Sequence, residues 1–138
     1  MYLLMPLRFS LTEVETLLAT AQSCIPSEGA QPGSFLVPYP TFSFVFPRPS
    51  GTSVSLVGLL SGQQIPGHRD APIPGIRYHL PIQTNAGCWS FHGAAWQHLI
   101  VGQLYQMNPT EIHGAVNWGA SLRLHLIIDV ASDDALSA

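Results

Sequence analysis

Turn-forming residues divide most of this chain into short segments. From Thr52 onward, glycine, proline and asparagine recur between short stretches of mostly apolar residues. These stretches are shorter than an ordinary helix, and several of them alternate polar and apolar side chains. Many short alternating segments in succession favour a β-sandwich or barrel. The chain is therefore predicted to be mainly β, a jelly roll with one N-terminal helix.

The helix and the strands have separate signals. Ser10 and Glu13 have the form of a capping box, and apolar residues at helical spacing follow it, which predicts a helix over about 11–24. Residues 26–50 are expected to be loop except for a strand at 41–46, whose Phe42, Phe44 and Phe46 form either a core face or an aromatic wall over a substrate pocket. The β core is expected over about 41–130, with strands at 54–60, 65–70, 77–84, 88–91, 99–107 and 122–130.

Length and composition limit the function classes. A chain of 138 residues with 46% hydrophobic and 9% charged residues is expected to form one packed domain over 1–138. A net charge of -3 with no basic run argues against a nucleic-acid partner. No apolar run approaches the ~20 residues of a membrane span, and no secretory leader is evident. Two cysteines do not make a disulfide framework. A soluble, cytoplasmic protein with no membrane partner is predicted.

His68 and Asp70 form a candidate pair of metal ligands. Residues two apart in a strand point to one side, with Cα atoms ~6.6 Å apart. With His113 as the candidate third ligand, they make the 2-His-1-carboxylate set of non-haem Fe(II) oxygenases. A histidine is more often a hydrogen-bonded structural residue, and that interpretation is kept for His92 and His98.

Two segments carry an Arg-x-His pair on one face and an apolar stripe on the other. Arg77 and His79 share a face of the strand at 77–84, and Arg123 and His125 share a face of the last strand, where the role of His125 stays ambiguous. A buried guanidinium needs an anionic partner, and acidic residues are scarce. This favours a dicarboxylate ligand, which two arginine forks suit well. If Arg77 is structural, Glu111 or Asp129 is its expected partner.

The segment 62–130 resembles the aspartyl/asparaginyl β-hydroxylase family of Fe(II)/2-oxoglutarate-dependent oxygenases. The resemblance rests on these stretches in order: Ile65-Pro66-Gly67-His68-Arg69-Asp70, Arg77-Tyr78-His79-Leu80, Gly102 to Asn108, His113 to Asn117, and Arg123 to Asp129. It implies a cupin-like double-stranded β-helix with His68, Asp70 and His113 on Fe(II). It also implies that Arg123 binds the far carboxylate of 2-oxoglutarate, and that Arg77 and His79 bind the carboxylate nearer the metal.

The resemblance implies hydroxylation with O₂ of an amino acid, a peptide side chain or a related small molecule, releasing succinate and CO₂. Gly67 departs from the family pattern, in which proline directly precedes the histidine. From the short length, the large flanking portions of longer relatives are expected to be absent. Trp89, Trp96 and Trp118 are candidates for a substrate pocket. Two alternatives stay open. One is another cupin-like metalloenzyme, an isomerase or a Zn²⁺ hydrolase; the other is a non-catalytic jelly-roll binding module.

Overall fold

The computed structural model describes residues 1–24, 34–38 and 53–131. These residues form one helix, α1 (Leu11–Cys24), and ten strands. The strands are β1 (Leu3–Arg8), β2 (Ser34–Pro38), β3 (Ser53–Leu59), β4 (Gln64–His68), β5 (Ile76–Gln83), β6 (Cys88–His92), β7 (Ala95–Gln97), β8 (Gln103–Met107), β9 (His113–Asn117) and β10 (Arg123–Val130). No helix of the described residues is long and apolar enough to cross a membrane.

The strands form two antiparallel sheets. The larger has the order β1-β8-β5-β10-β3-β2, and the smaller has the order β4-β9-β6-β7. Sequence neighbours such as β3 and β4 lie in different sheets, so the chain passes repeatedly between the two layers. The prediction of a mainly β jelly roll with one N-terminal helix is confirmed.

The predicted capping box begins α1. The Ser10 backbone N–H donates to Glu13 Oε1 at 3.0 Å, and the Glu13 N–H donates to Ser10 Oγ at 3.2 Å. Two N–H groups that have no partner inside the helix are thereby satisfied. The buried face of α1 packs against the large sheet through Val14, Leu17 and Ala21. The predicted bounds of the helix are confirmed.

The large sheet separates an apolar core from a polar interior. On β5 the residues Tyr78, Leu80 and Ile82 face the helix, and Leu124, Leu126 and Ile128 of β10 join them in that core. Full burial of each such aliphatic side chain is worth about 1.5–3 kcal/mol. The intervening residues face the small sheet, as the alternation predicts. Since a slip of one residue would exchange the faces, this core also fixes where the polar residues point.

Several strand predictions need correction. β1 was not predicted, and β2 lies where loop was expected, so the β core begins before residue 41. The segment predicted at 65–70 ends as a strand at His68, and the one predicted at 99–107 is a strand only from Gln103, because a turn with Gly102 at φ 84° precedes it. β7 and β9 were not predicted as separate strands. The strand expected at 41–46 lies outside the described residues.

Candidate metal centre and adjoining cavity

A cavity of about 380 Å³ lies between the two sheets. Its lining combines every predicted site residue with apolar side chains and one residue from the N-terminus. The lining residues are Tyr2, Ser55, Val57, Ile65, His68, Asp70, Arg77, His79, His113, Gly114, Ala115, Arg123, Ile127 and Asp129.

His68, Asp70 and His113 converge at one end of this lining. One ligand atom from each lies within 4.8 Å of the others. His68 Nε2 is 3.4 Å from Asp70 Oδ1, and His113 Nε2 is 3.3 Å from Asp70 Oδ2. The two histidines are cross-strand partners in the β4–β9 pair, so the backbone register itself sets them side by side. The predicted three residues do meet.

Backbone carbonyls fix the tautomer of both histidines. His68 Nδ1 lies 2.8 Å from the Pro66 carbonyl oxygen, and His113 Nδ1 lies 2.7 Å from that of Glu111. A carbonyl only accepts, so each Nδ1 carries the proton and donates it. In the neutral ring, Nε2 then carries the lone pair, and it lies on the side toward Asp70. Burial lowers the pKa of His113, which further favours the neutral ring that a metal binds.

Arg77 holds the carboxylate of Asp70 in position. Its Nη1 donates to Asp70 Oδ2 at 2.8 Å, while Nε and Nη2 donate to the two oxygens of Asp129 at 2.8 and 2.9 Å. The Asp70 backbone N–H also donates to the Pro109 carbonyl at 2.8 Å. Asp70 therefore reaches the centre from just beyond β4, anchored by the loop after β8, and not from within a strand as predicted. The hydrogen bonds with Asp129 are the main cause that raises the pKa of Arg77.

The pair with Asp129 is the one expected for a structural Arg77. Because Arg77 also contacts Asp70, it remains at the candidate metal centre. Three of its N–H groups are used by carboxylates. Its direct contact with a cosubstrate carboxylate stays a prediction.

Arg123 is a buried cation without an ion pair among the described residues. Its side chain is 3% exposed, and no carboxylate of residues 1–24 or 53–131 lies within 4 Å of it. It donates from Nη2 to His125 Nδ1 at 3.0 Å, with Ser90 Oγ at 3.5 Å. Burial lowers the pKa of Arg123. A guanidinium buried in this way is costly unless an anion joins it.

His125 links Arg123 to His79. Arginine only donates, so His125 Nδ1 accepts and carries no proton. His79 Nδ1, 3.2 Å from the same nitrogen, must then be the donor. Burial, reinforced by Arg123, holds the pKa of both histidines well below the usual value, so both rings are neutral. The ambiguous His125 is thus the fixed acceptor that orients Arg123.

The other aromatic candidates lie elsewhere. His92 Nε2 lies 2.8 Å from the Asn108 carbonyl oxygen and His98 Nδ1 2.8 Å from that of Cys88, contacts that fit the structural roles predicted for them. None of the three tryptophan candidates is among the residues that line the cavity, and all three are exposed: Trp89 by 40%, Trp96 by 54% and Trp118 by 71%.

Sequence reasoning missed Tyr2. This residue is 3% exposed and lines the cavity between the sheets from the β1 edge of the large sheet. Its position depends on the pairing of β1 with β8, which sequence periodicity did not indicate. The segment of family resemblance also begins sixty residues later, at Gly62.

The comparisons with known proteins agree with this geometry. A model of the aspartyl/asparaginyl beta-hydroxylase family matches residues 40–133, more than half of the chain. The chain belongs to the aspartyl/asparaginyl beta-hydroxylase family. Among curated proteins, none matches this sequence. Family membership together with the cupin fold supports an oxygenase of the cupin type in general.

Solved structures with the same fold are double-stranded β-helix proteins. A cupin superfamily protein from Desulfitobacterium hafniense has a TM-score of 0.53 at 12% identity, covering 82% of this chain and 89% of its own. A protein with a double-stranded β-helix domain from Klebsiella pneumoniae has a TM-score of 0.56 at 17% identity, covering 84% and 90%. A variant of salicylate 1,2-dioxygenase from Pseudoaminobacter salicylatoxidans has a TM-score of 0.55 at 8% identity, covering 86% and 30%. The predicted cupin-like double-stranded β-helix is confirmed.

Proposed function

We propose that the protein is an Fe(II)- and 2-oxoglutarate-dependent oxygenase that hydroxylates an amino acid, a peptide side chain or a related small molecule. One observation carries the proposal. A single cavity holds a 2-His-1-carboxylate set and, in the same lining, a buried arginine without an ion pair among the described residues. The first feature suits a metal with open positions, and the second suits the far carboxylate of a dicarboxylate ligand.

The donor set fits Fe(II). Two neutral imidazole nitrogens and one carboxylate are the ligands of the facial triad that leaves positions open for other ligands. Both histidines have the second hydrogen bond that orients a metal ligand, and Asp70 has Arg77. Bound by His68, Asp70 and His113, Fe(II) supplies the activation of O₂ that couples decarboxylation of the cosubstrate to hydroxylation.

The remaining residues bind and orient the cosubstrate. The Arg123 fork offers parallel N–H donors to the far carboxylate of 2-oxoglutarate. His125 holds one side of that fork by accepting from Nη2. Val57 and Ile127 give the lining apolar area that excludes water and strengthens the charge contact. Arg77 has two N–H groups that Asp70 and Asp129 do not use, and these remain as donors for the carboxylate nearer the metal. His79, predicted for the same carboxylate, has its one proton on Nδ1 and donates it to His125, so its Nε2 offers only a lone pair.

The test is metal-dependent consumption of 2-oxoglutarate. We expect the Fe(II)-loaded protein to release succinate and CO₂ in the presence of O₂, faster when the right substrate is present in a panel of free amino acids and peptides. His113→Ala should remain folded and lose both metal binding and turnover, because one ligand of three is gone. His98→Ala is the matched control, since His98 binds a backbone carbonyl away from the cavity and should retain both.

Two results would contradict the proposal. Full iron content and full turnover in His113→Ala would remove the assigned metal site. Catalysis with Zn²⁺ and without 2-oxoglutarate consumption would favour the isomerase or hydrolase alternative.

A further inference from the structure

A side-chain amide joins the open edges of the two sheets at Tyr2. β1 is the outermost strand of the large sheet, and β7 is the outermost strand of the small one. Gln97 of β7 accepts from the Tyr2 backbone N–H through Oε1 at 2.7 Å and donates from Nε2 to the Tyr2 carbonyl at 3.1 Å. These two hydrogen bonds are like those between neighbouring strands, except that a side-chain amide takes the place of one backbone. The backbone of Tyr2 is therefore held between the two layers.

The Tyr2 ring fills the space between the sheets on that side. Its centroid lies 5.2 Å from that of His79 in an edge-on arrangement and 5.5 Å from that of His92. His79 belongs to the large sheet and His92 to the small one, so the ring packs between the layers. Leu99 and Met107 form a small apolar cluster with it. A ring packed on these sides cannot swing away from the cavity that it lines.

The Tyr2 hydroxyl is a donor without a partner among the described residues. Burial raises the pKa of Tyr2 to about 12, so the group is a protonated phenol. Of the charges that act on it, Arg123 has the largest effect, followed by Arg77 and then Asp70. The hydroxyl thus lies under the influence of the same cation that lacks an anion. Tyr2 lines the cavity, and its hydroxyl is not one of the fully enclosed polar atoms that lack a partner, so a ligand in the cavity can reach it.

From this packing and the shared cavity, we infer that Tyr2 is a second binding residue for the far carboxylate of 2-oxoglutarate, with its hydroxyl donating to the oxygen pair that Arg123 holds. The inference rests on the proposed function. It extends the cosubstrate site to a residue outside the segment that matches the family model, residues 40–133. The Gln97 contact holds the Tyr2 backbone and the ring packing holds the hydroxyl before the ligand arrives, so little ordering is needed on binding.

The test is Tyr2→Phe, which removes the hydroxyl and keeps the ring. A hydrogen bond to a charged group contributes about 1.5–3 kcal/mol, so the dissociation constant of 2-oxoglutarate should rise about tenfold or more. It is measured by calorimetric titration into Fe(II)-loaded protein without O₂. 2-Oxobutanoate lacks the far carboxylate, and its dissociation constant should be the same in wild type and variant.

Tyr78→Phe is the matched control. Tyr78 is a fully buried tyrosine on the other face of β5, and its hydroxyl has no hydrogen-bond partner in the part of the chain that the structure describes. Removing that hydroxyl should leave 2-oxoglutarate affinity unchanged.

Three outcomes would overturn the inference. Equal 2-oxoglutarate affinity in wild type and Tyr2→Phe would overturn the inference about Tyr2 and leave the proposed function standing. The same holds if Tyr2→Phe weakens the binding of 2-oxoglutarate and 2-oxobutanoate equally, because the hydroxyl would then not act on the far carboxylate. Wild-type protein that binds no 2-oxoglutarate overturns the proposed function, and the inference falls with it.

Discussion

Replacing Arg123 with methionine should have opposite effects on folding and on ligand binding. Methionine is unbranched and adaptable, so it fills much of the space that the guanidinium leaves. The charge that is removed has no carboxylate partner among the described residues. His125 Nδ1 loses one donor but keeps the His79 N–H at 3.2 Å, so no acceptor is left unsatisfied. The substitution therefore removes a desolvation cost without creating a new one.

The size of both effects of Arg123→Met, on the free energy of unfolding and on 2-oxoglutarate binding, can be worked out from the buried, unpaired charge. Replacing buried ionic groups with apolar side chains of similar size is often neutral or stabilising by about 1–4 kcal/mol. The free energy of unfolding of Arg123→Met should therefore be unchanged or higher by up to that amount. Truncating one partner of a buried charge pair in a complex costs about 2–5 kcal/mol. The dissociation constant of 2-oxoglutarate should accordingly rise roughly 30-fold or more.

Two measurements on the same sample separate these effects. Urea unfolding gives the free energy of unfolding, and calorimetric titration of 2-oxoglutarate without O₂ gives the affinity. Arg8→Met is the matched control, because Arg8 is exposed on β1 and its replacement should change neither quantity appreciably. Lower stability together with unchanged affinity for 2-oxoglutarate would refute the reasoning, since Arg123 would then be a structural residue.

Three further predictions concern the supporting structure. Asp129→Asn should weaken the hold of Arg77 on the metal ligand Asp70 and lower metal affinity about 10–100-fold, as measured by competition with a chelator. Gly114→Ala should lower the free energy of unfolding by about 1–3 kcal/mol, because the added Cβ would lie 2.5 Å from the Ile65 carbonyl oxygen. Ser10→Ala should cost about 1 kcal/mol in the same measurement through loss of the cap on α1.

Each of these has a control in the chain. Unchanged metal affinity in Asp129→Asn would show that Arg77 does not orient the ligand, and Arg8→Met serves as its charge control. Gly67→Ala should be milder than Gly114→Ala, since its Cβ would meet only side chains, the nearest at 3.3 Å. Thr16→Ala removes an exposed hydroxyl that bonds back to Thr12 inside the helix and should not destabilise. A cost in Thr16→Ala equal to that in Ser10→Ala would contradict the capping argument.

Sequence patterns correctly predicted the strands and the helix in which apolar residues recur at a regular spacing. In β5 and β10 every second residue is apolar, and these residues pack in the core under the helix. The alternation therefore predicted that Arg77, His79 and Arg123 lie on the opposite face, where they line the cavity. The capping box likewise marked the start of α1 to the residue. In both cases the signal lies within a few neighbouring positions, where sequence spacing and spatial spacing coincide.

What the patterns missed depends on contacts between distant parts of the chain. β1 pairs with β8 about a hundred residues away, and its apolar residues follow one another without alternating with polar ones, so its sequence has no strand period. The pairing of Arg77 with both Asp129 and Asp70 needs three separate segments to meet. The position of Tyr2 in the cavity follows from β1 and from Gln97, and neither has a local signature.

The most direct test of the account is a crystal structure of the protein grown without O₂ in the presence of Fe(II) and 2-oxoglutarate. Anomalous scattering at the iron edge locates the metal independently of the surrounding density. We expect one iron bound by His68 Nε2, Asp70 and His113 Nε2, with the far carboxylate of 2-oxoglutarate against Arg123. Iron bound elsewhere, or Arg123 left with only His125 and Ser90 while the ligand binds at another place, would contradict it.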